Sequence, residues 1–239
     1  WASAMTTLAS IAIAVPLGVA GGVLFGILGY RVPLARRLME PILDLMQTVP
    51  IFAYLIPILF LFGFGPVSAL IATVIYAMPP MVRVTMTALE AVPREIVEYG
   101  TMAGTTGRQM LFKVLLPAAR PQLLVGVNQV IMLSLNMVII ASMIGAGGLG
   151  YDVLTSLRRL DIGRGLEAGL AIVVLAIALD RLSQAYASRR GAGQDKSRTF
   201  VITLLAFTAI VYVLGLFIPA VATYPPSMQI STAPWWGEA

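Results

Sequence analysis

The chain contains no cysteine and no histidine. It therefore has no disulfides, no thiolate or imidazole metal ligands, and no Ser-His or Cys-His nucleophilic pair. Lysine is nearly absent too, with only Lys113 and Lys196, preceded by Phe112 and Asp195. Neither completes the Gly-Lys-Ser/Thr end of a phosphate-binding loop, so ATP, if it drives this protein, must be bound by another subunit. Charge is sparse: 11% of residues are charged, where soluble domains carry about a quarter. No catalytic residue, metal site or cofactor is expected in the chain.

What is present is apolar. Hydrophobic residues make up 59% of the sequence and the mean hydropathy is +0.90, which marks an all-α polytopic membrane protein. A helical span needs about 20 mostly apolar residues. Runs 5–28, 123–144 and 200–218 satisfy this directly. Three others are weaker: 49–64 contains Pro50 and Pro57, 67–82 ends in Pro79-Pro80, and 168–179 must continue past Asp180 and Arg181. Proline is tolerated in a span when neighbours satisfy the carbonyls it frees, so six spans are expected.

Short cytoplasmic loops collect Lys and Arg. With the first span running inward, every Lys and Arg except Arg158, Arg159 and Arg164 falls on the inner side; removing the fifth span evens the split. Both chain ends are then outside, and the loop containing Glu98 is cytoplasmic. The same bias accounts for the net charge of +5 without any nucleic-acid partner. Residues 33–47 interleave Leu34, Leu38, Leu45 and Met46 with Arg36, Arg37, Glu40 and Asp44, the pattern of an amphipathic helix along the inner face. No internal repeat is evident. Trp1 is not a natural start, and the sequence reads as trimmed at its N-terminus.

The stretch Glu98-Tyr99-Gly100-Thr101-Met102-Ala103-Gly104, followed by Val114-Leu115-Leu116-Pro117, is the most informative part of the chain. Membrane proteins connect spans briefly, so a structured polar loop here suggests a docking surface for a water-soluble partner. The spacing predicts a short helix over 96–103, broken by Gly104. A capping box of Thr106 and Gln109 then starts a second helix that ends at Pro117. Gly107 presents no side chain to obstruct a partner. An ordinary helix-turn-helix connection between spans is the plainer alternative.

This loop resembles the cytoplasmic coupling loop of ABC importer membrane subunits: Glu-Ala-Ala, three residues, Gly, nine residues, Ile, one residue, Leu-Pro. Glu98, Gly104, Leu116 and Pro117 match that pattern, Val114 replaces Ile, and Tyr99-Gly100 replaces Ala-Ala. The likeness extends over about 7–184. It includes Gln47-Thr48-Val49-Pro50, Tyr54-Leu55-Ile56-Pro57, Tyr76-Ala77-Met78-Pro79-Pro80, Asn128-Gln129-Val130-Ile131-Met132, the glycine-rich 142–150 and Leu179-Asp180-Arg181-Leu182. These look like the permeases for glycine betaine, proline, choline and related quaternary amines. The resemblance implies a type I ABC importer permease core of five transmembrane helices in a bacterial inner membrane, here with one extra C-terminal helix. It implies as partners an ABC ATPase subunit, a periplasmic or lipid-anchored substrate-binding protein and a second permease subunit, identical or distinct. Glu98, Gly104, Thr106, Gly107, Leu116 and Pro117 are the expected ATPase-coupling residues.

The expected organisation is a permease core over 1–188 with the coupling loop at 94–117, a polar linker over 189–198, an additional span over 199–218, and a tail over 219–239. The family core is usually complete near Leu182, so the last span and the tail have no family-based role. Trp235-Trp236 suggests anchoring at the membrane surface or a lead into a further fused domain.

Polar residues within a span mark a pathway or cross-link helices. Asn128, Met132, Asn136 and Met143 lie near one face of the fourth span, with Gln129 beside them, and either role fits. Tyr54 and Tyr76 suit a quaternary ammonium through ring-face attraction, worth roughly 0.5–2 kcal/mol, or act as packing aromatics. The glycine-rich segment from Gly145 is expected to turn at the outer face. Arg158, Arg159 and Asp161 follow it, either meeting a docked binding protein or forming a solvated loop. The same architecture carrying trimethylamine N-oxide, carnitine or an amino acid is an alternative. An ion-coupled secondary transporter and a non-conducting membrane scaffold are others. The absence of a mid-membrane Asp or Glu argues against ion coupling, and the polar stripe argues against a scaffold.

Overall fold

The computed structural model describes residues 2–188. The expected linker, additional span and tail lie outside the described residues. Among those described, residues 2–8 and 147–188 form one compact unit and Ala9–Ala146 the other.

The larger unit is built around three long helices. α1 (Ala2–Arg31) enters it from residue 9, and α4 (Pro66–Glu90) packs along α8 (Arg120–Ala141). α1 buries a stripe of Ile11, Ala14, Gly18, Gly22, Gly26 and Gly29 and leaves Ile13, Leu17, Leu24, Phe25 and Leu28 exposed. The buried stripe is mostly glycine because α4 lies against it. A Cβ on Gly22 would fall 2.4 Å from Met81 Cβ, and one on Gly26 would fall 2.4 Å from Thr85 Cβ. Small residues permit such backbone approach where lipid supplies no hydrophobic drive between helices.

α4 runs through Pro79-Pro80, as expected of proline tolerated in a span, and continues beyond residue 82 to Glu90. Packing against α8 and α1 overrides the local helix-breaking tendency. α2 (Pro33–Thr48) is the expected amphipathic helix. Its Leu43 is buried against Val82 and Met86 of α4, while Arg83 pairs with Asp44 and Arg36 pairs with Glu40 and Glu90. α3 (Ile51–Phe62) is shorter than the expected second span, at 12 residues. That is about 18 Å of helix, against a hydrocarbon core of about 30 Å. It counts as a crossing only together with α2, across a bend of 103°. The described residues thus hold four helices long and apolar enough to span, or five with that bent pair.

In the smaller unit, α9 (Leu149–Arg158) packs on α10 (Ile162–Ser188). α10 does extend past Asp180 and Arg181. The glycine-rich segment breaks the helix, as expected: Ile144 and Gly145 leave helical φ/ψ and Gly145, Gly147 and Gly148 take positive φ, before α9 begins at Leu149. Thr7 Oγ1 accepts the Leu149 N–H at 3.1 Å and so satisfies one orphan amide of α9. Asp161, considered as a partner contact from sequence, instead accepts the Arg164 N–H at 3.1 Å and caps the start of α10.

Candidate functional site

α5 (Arg94–Met102) ends in a Schellman motif. The Thr105 N–H donates to Gly100 O at 3.2 Å and the Gly104 N–H to Thr101 O at 3.0 Å, with Gly104 at φ +69°. Thr106 then opens α6 (Gly107–Gln109) through the expected capping box. Its N–H donates to Gln109 Oε1 at 2.9 Å, and the Gln109 N–H donates to Thr106 Oγ1 at 3.4 Å. The second arm continues as a π-helical turn over Met110–Leu115 and α7 (Leu116–Ala118). That π turn was not foreseen. The two arms cross at Gly100, where a Cβ would sit 2.9 Å from Met110 Cε and 3.3 Å from Val114 Cγ2.

The loop is fastened to the spans. Ala88, Leu89, Val92, Leu111, Leu115 and Ala119 form a buried apolar cluster, with Ile27 and Tyr30 of α1 and Leu123 of α8 packed against it. Arg31, at the end of α1, donates from Nη2 to Gly107 O at 2.9 Å. A displacement of the loop must therefore act on the ends of α1, α4 and α8 together, because close-packed interiors transmit strain.

Of the expected coupling residues, Glu98, Gly104, Thr106, Gly107 and Pro117 are exposed, and Leu116 is half-buried against the apolar cluster. Two residues that sequence reasoning passed over stand beside them: Tyr99 is 77% exposed and Met102 is 85% exposed. Both present large side chains to solvent on an otherwise polar loop.

Burial along α8 adds to the sequence reading of the polar stripe. Gly126, Val130, Ser134, Met137 and Ala141 are buried, which turns Gln129, Met132 and Asn136 to the exposed side. Asn128 sits at the edge of that face, with Oδ1 buried and unpaired among the described residues. The exposed members of the stripe are thus Met132 and Asn136, with Gln129 exposed at its flank. Met143 is half-buried just before the kink at Ile144 and Gly145. Tyr54 and Tyr76 do come together, edge to face, with ring centroids 6.3 Å apart. The Tyr54 hydroxyl donates to Met46 O in α2. This ties the short α3 to the helix before it.

Comparison with known proteins bears on the whole arrangement. Residues 18–192 match the family of binding-protein-dependent transport system inner membrane components. The chain is 49% identical over 185 residues to the glycine betaine/proline betaine transport system permease protein ProW of Salmonella typhimurium, covering 77% of this chain and 52% of that protein. It is 46% identical to the glycine betaine transport system permease protein OpuAB of Bacillus subtilis, over 77% of this chain and 65% of that protein. It is 43% identical to the trimethylamine N-oxide transport system permease protein TmoV of Pelagibacter ubique, over 80% and 26%. The chain thus spans about half the length of the ProW relative. Among solved structures, the inward-facing MetNI methionine ABC transporter matches with a TM-score of 0.68 at 23% identity, over 80% of this chain and 94% of that one. That likeness concerns the fold alone.

Proposed function

The chain belongs to the family of binding-protein-dependent transport system inner membrane components, and from this premise we propose that it is the permease of an ATP-driven importer for glycine betaine, proline betaine and related quaternary-amine osmolytes. As a member of that family it is a multi-pass inner-membrane component of a transport system. The observation that carries the proposal is the loop at 94–117. Its turn is fixed by hydrogen bonds on both sides of Gly104, its base is buried against α1, α4 and α8, and its tip exposes Tyr99 and Met102. In this reading the tip seats on a separate ATPase subunit, which hydrolyses the ATP that this chain has no phosphate loop to bind.

The exposed amides of α8 support a second permease subunit. An unpaired amide facing hydrocarbon costs roughly 4–8 kcal/mol on an alkane scale. Gln129 and Asn136 are therefore better placed on a water-filled path shared with a partner than against lipid. A neutral amide- and thioether-lined path suits a zwitterion, since a fixed carboxylate would trap its cationic end. Leu157, Leu160 and Ile162 are exposed next to Arg158 and Arg159, and Leu160 is held at φ 57°. Strain retained in an exposed apolar residue fits a contact surface, here for the substrate-binding protein.

Uptake of labelled glycine betaine into proteoliposomes should require ATP on the ATPase side and binding protein on the other. Uptake driven by an ion gradient alone would overturn the reading. A ligand screen of the cognate binding protein separates betaines from trimethylamine N-oxide, the substrate named for the TmoV relative. Asn136→Leu should lower uptake severalfold while leaving ATPase binding unchanged, and unaltered uptake removes Asn136 from the path.

A further inference from the structure

A cavity of about 470 Å³ opens between the last turn of α1 and the α6–π segment, lined by Tyr30, Arg31, Gly107, Arg108, Leu111 and Leu115, with Met110 beside them. That volume falls within the range of about 300–1,000 Å³ typical of small-molecule sites. The lining holds two guanidinium groups and no carboxylate. Elsewhere in the same unit Arg37, Arg94 and Arg120 carry no ion pair among the described residues, whereas Arg36 is neutralised by Glu40 and Glu90 and Arg83 by Asp44. Arg31 instead gives one N–H to the Gly107 carbonyl, and Arg108 is exposed with no ion pair among the described residues. Both therefore keep free donors, in the fork geometry that suits phosphate oxygens.

The position of the cavity narrows the occupant. Tyr30 and Arg31 close a 30-residue apolar helix, so the cavity lies where a bilayer gives way to its headgroups. Its floor of Leu111, Leu115 and Met110 is apolar, which a free inorganic anion would not use. Basic pockets beside spans at this depth suit anionic headgroups. We infer that the cavity binds an anionic phospholipid, its phosphate bridging Arg31 and Arg108 and its proximal acyl carbons lying on Leu111 and Leu115. Because Arg31 also holds Gly107, the bound lipid clamps the end of α1 to the loop. The assignment needs only that α1 ends at a membrane surface, and it stands whatever the protein carries.

Native mass spectrometry of the full chain in mild detergent tests it, with dioleoyl phosphatidylglycerol as probe and dioleoyl phosphatidylcholine as zwitterionic control. Wild type should retain phosphatidylglycerol in preference, and Arg108→Gln alone should weaken retention about fivefold. That side chain is exposed and makes no structural ion pair, so the variant should fold. Arg31→Gln/Arg108→Gln should abolish the preference, and Arg31→Lys/Arg108→Lys should restore part of it. Arg94→Gln, a neighbouring charge outside the cavity, should change nothing. Equal retention of the two lipids, full retention by Arg108→Gln, or displacement of the lipid by millimolar inorganic phosphate would each overturn the assignment, the last by making it a free-anion site.

Discussion

Gly26→Leu is expected to prevent the chain from reaching a stable folded state, whereas Gly169→Leu leaves it intact. At Gly26 an added Cβ meets Thr85 Cβ at 2.4 Å and the Val82 carbonyl oxygen at 2.9 Å. Neither is the far end of a flexible side chain, so α1 and α4 must separate to accommodate it. Overpacking usually costs about 1–3 kcal/mol, and more where backbone is the obstacle. Separation also uncovers the rest of the interface, since Gly22 stands just as close to Met81. Gly169 has nothing within 4 Å of the missing Cβ, so the same added volume there faces open space. Thermal stability in detergent, followed by fluorescence-detected size exclusion, should separate the two variants clearly. A graded series strengthens the test. Gly18→Ala meets only Val130 Cγ1 at 3.2 Å and should be mild, whereas Gly26→Ala should be severe and partly rescued by Thr85→Gly. Equal stability of Gly26→Leu and Gly169→Leu would show that the α1–α4 contact is not what holds this unit.

The same glycines mark where the sequence is readable and where it is not. Runs of apolar residues declare the spans because hydrocarbon thickness sets their length. The turn at Gly104 and the Thr106–Gln109 box are equally legible, because each is closed by hydrogen bonds among residues within six positions of one another. Interlocking of Gly22 with Met81 is a different matter. It depends on which helix lies beside α1, and no local pattern carries that. Arg31 to Gly107, Arg36 to Glu90 and Arg83 to Asp44 are opaque for the same reason. Pro79-Pro80 weakens the local helix signal, but α4 is held by neighbours on both sides and runs through. Spacing places Asn128 with Asn136, but not their exposure: Gln129, Met132 and Asn136 are exposed, whereas Asn128 is half-buried.

Gly104→Val is expected to leave membrane insertion and ATP hydrolysis in place while abolishing substrate uptake. No atom lies within 4 Å of a Cβ at this position, so the substitution meets no clash. Its cost is conformational. Gly104 sits at φ +69°, where an L-residue pays about 1–2 kcal/mol and a β-branched one more. A turn under that load relaxes by releasing the Gly104-to-Thr101 and Thr105-to-Gly100 hydrogen bonds that close the turn between the two arms of the loop. Released, the arms no longer move as one body, and a push on Tyr99 and Met102 is dissipated before it reaches the cluster around Leu89 and Leu115. The spans themselves are untouched, which is why insertion should survive. Asn, which tolerates the left-handed region, should retain most of the uptake, and Ala should fall between Asn and Val. That order follows backbone preference and not side-chain volume. A ranking by size, with Asn worse than Ala, would mean instead that the partner surface closes directly over Gly104. Full uptake by the valine variant would mean that the loop does not work as a rigid element at all. Parallel measurement of uptake and ATP hydrolysis in proteoliposomes containing the ATPase distinguishes the three outcomes.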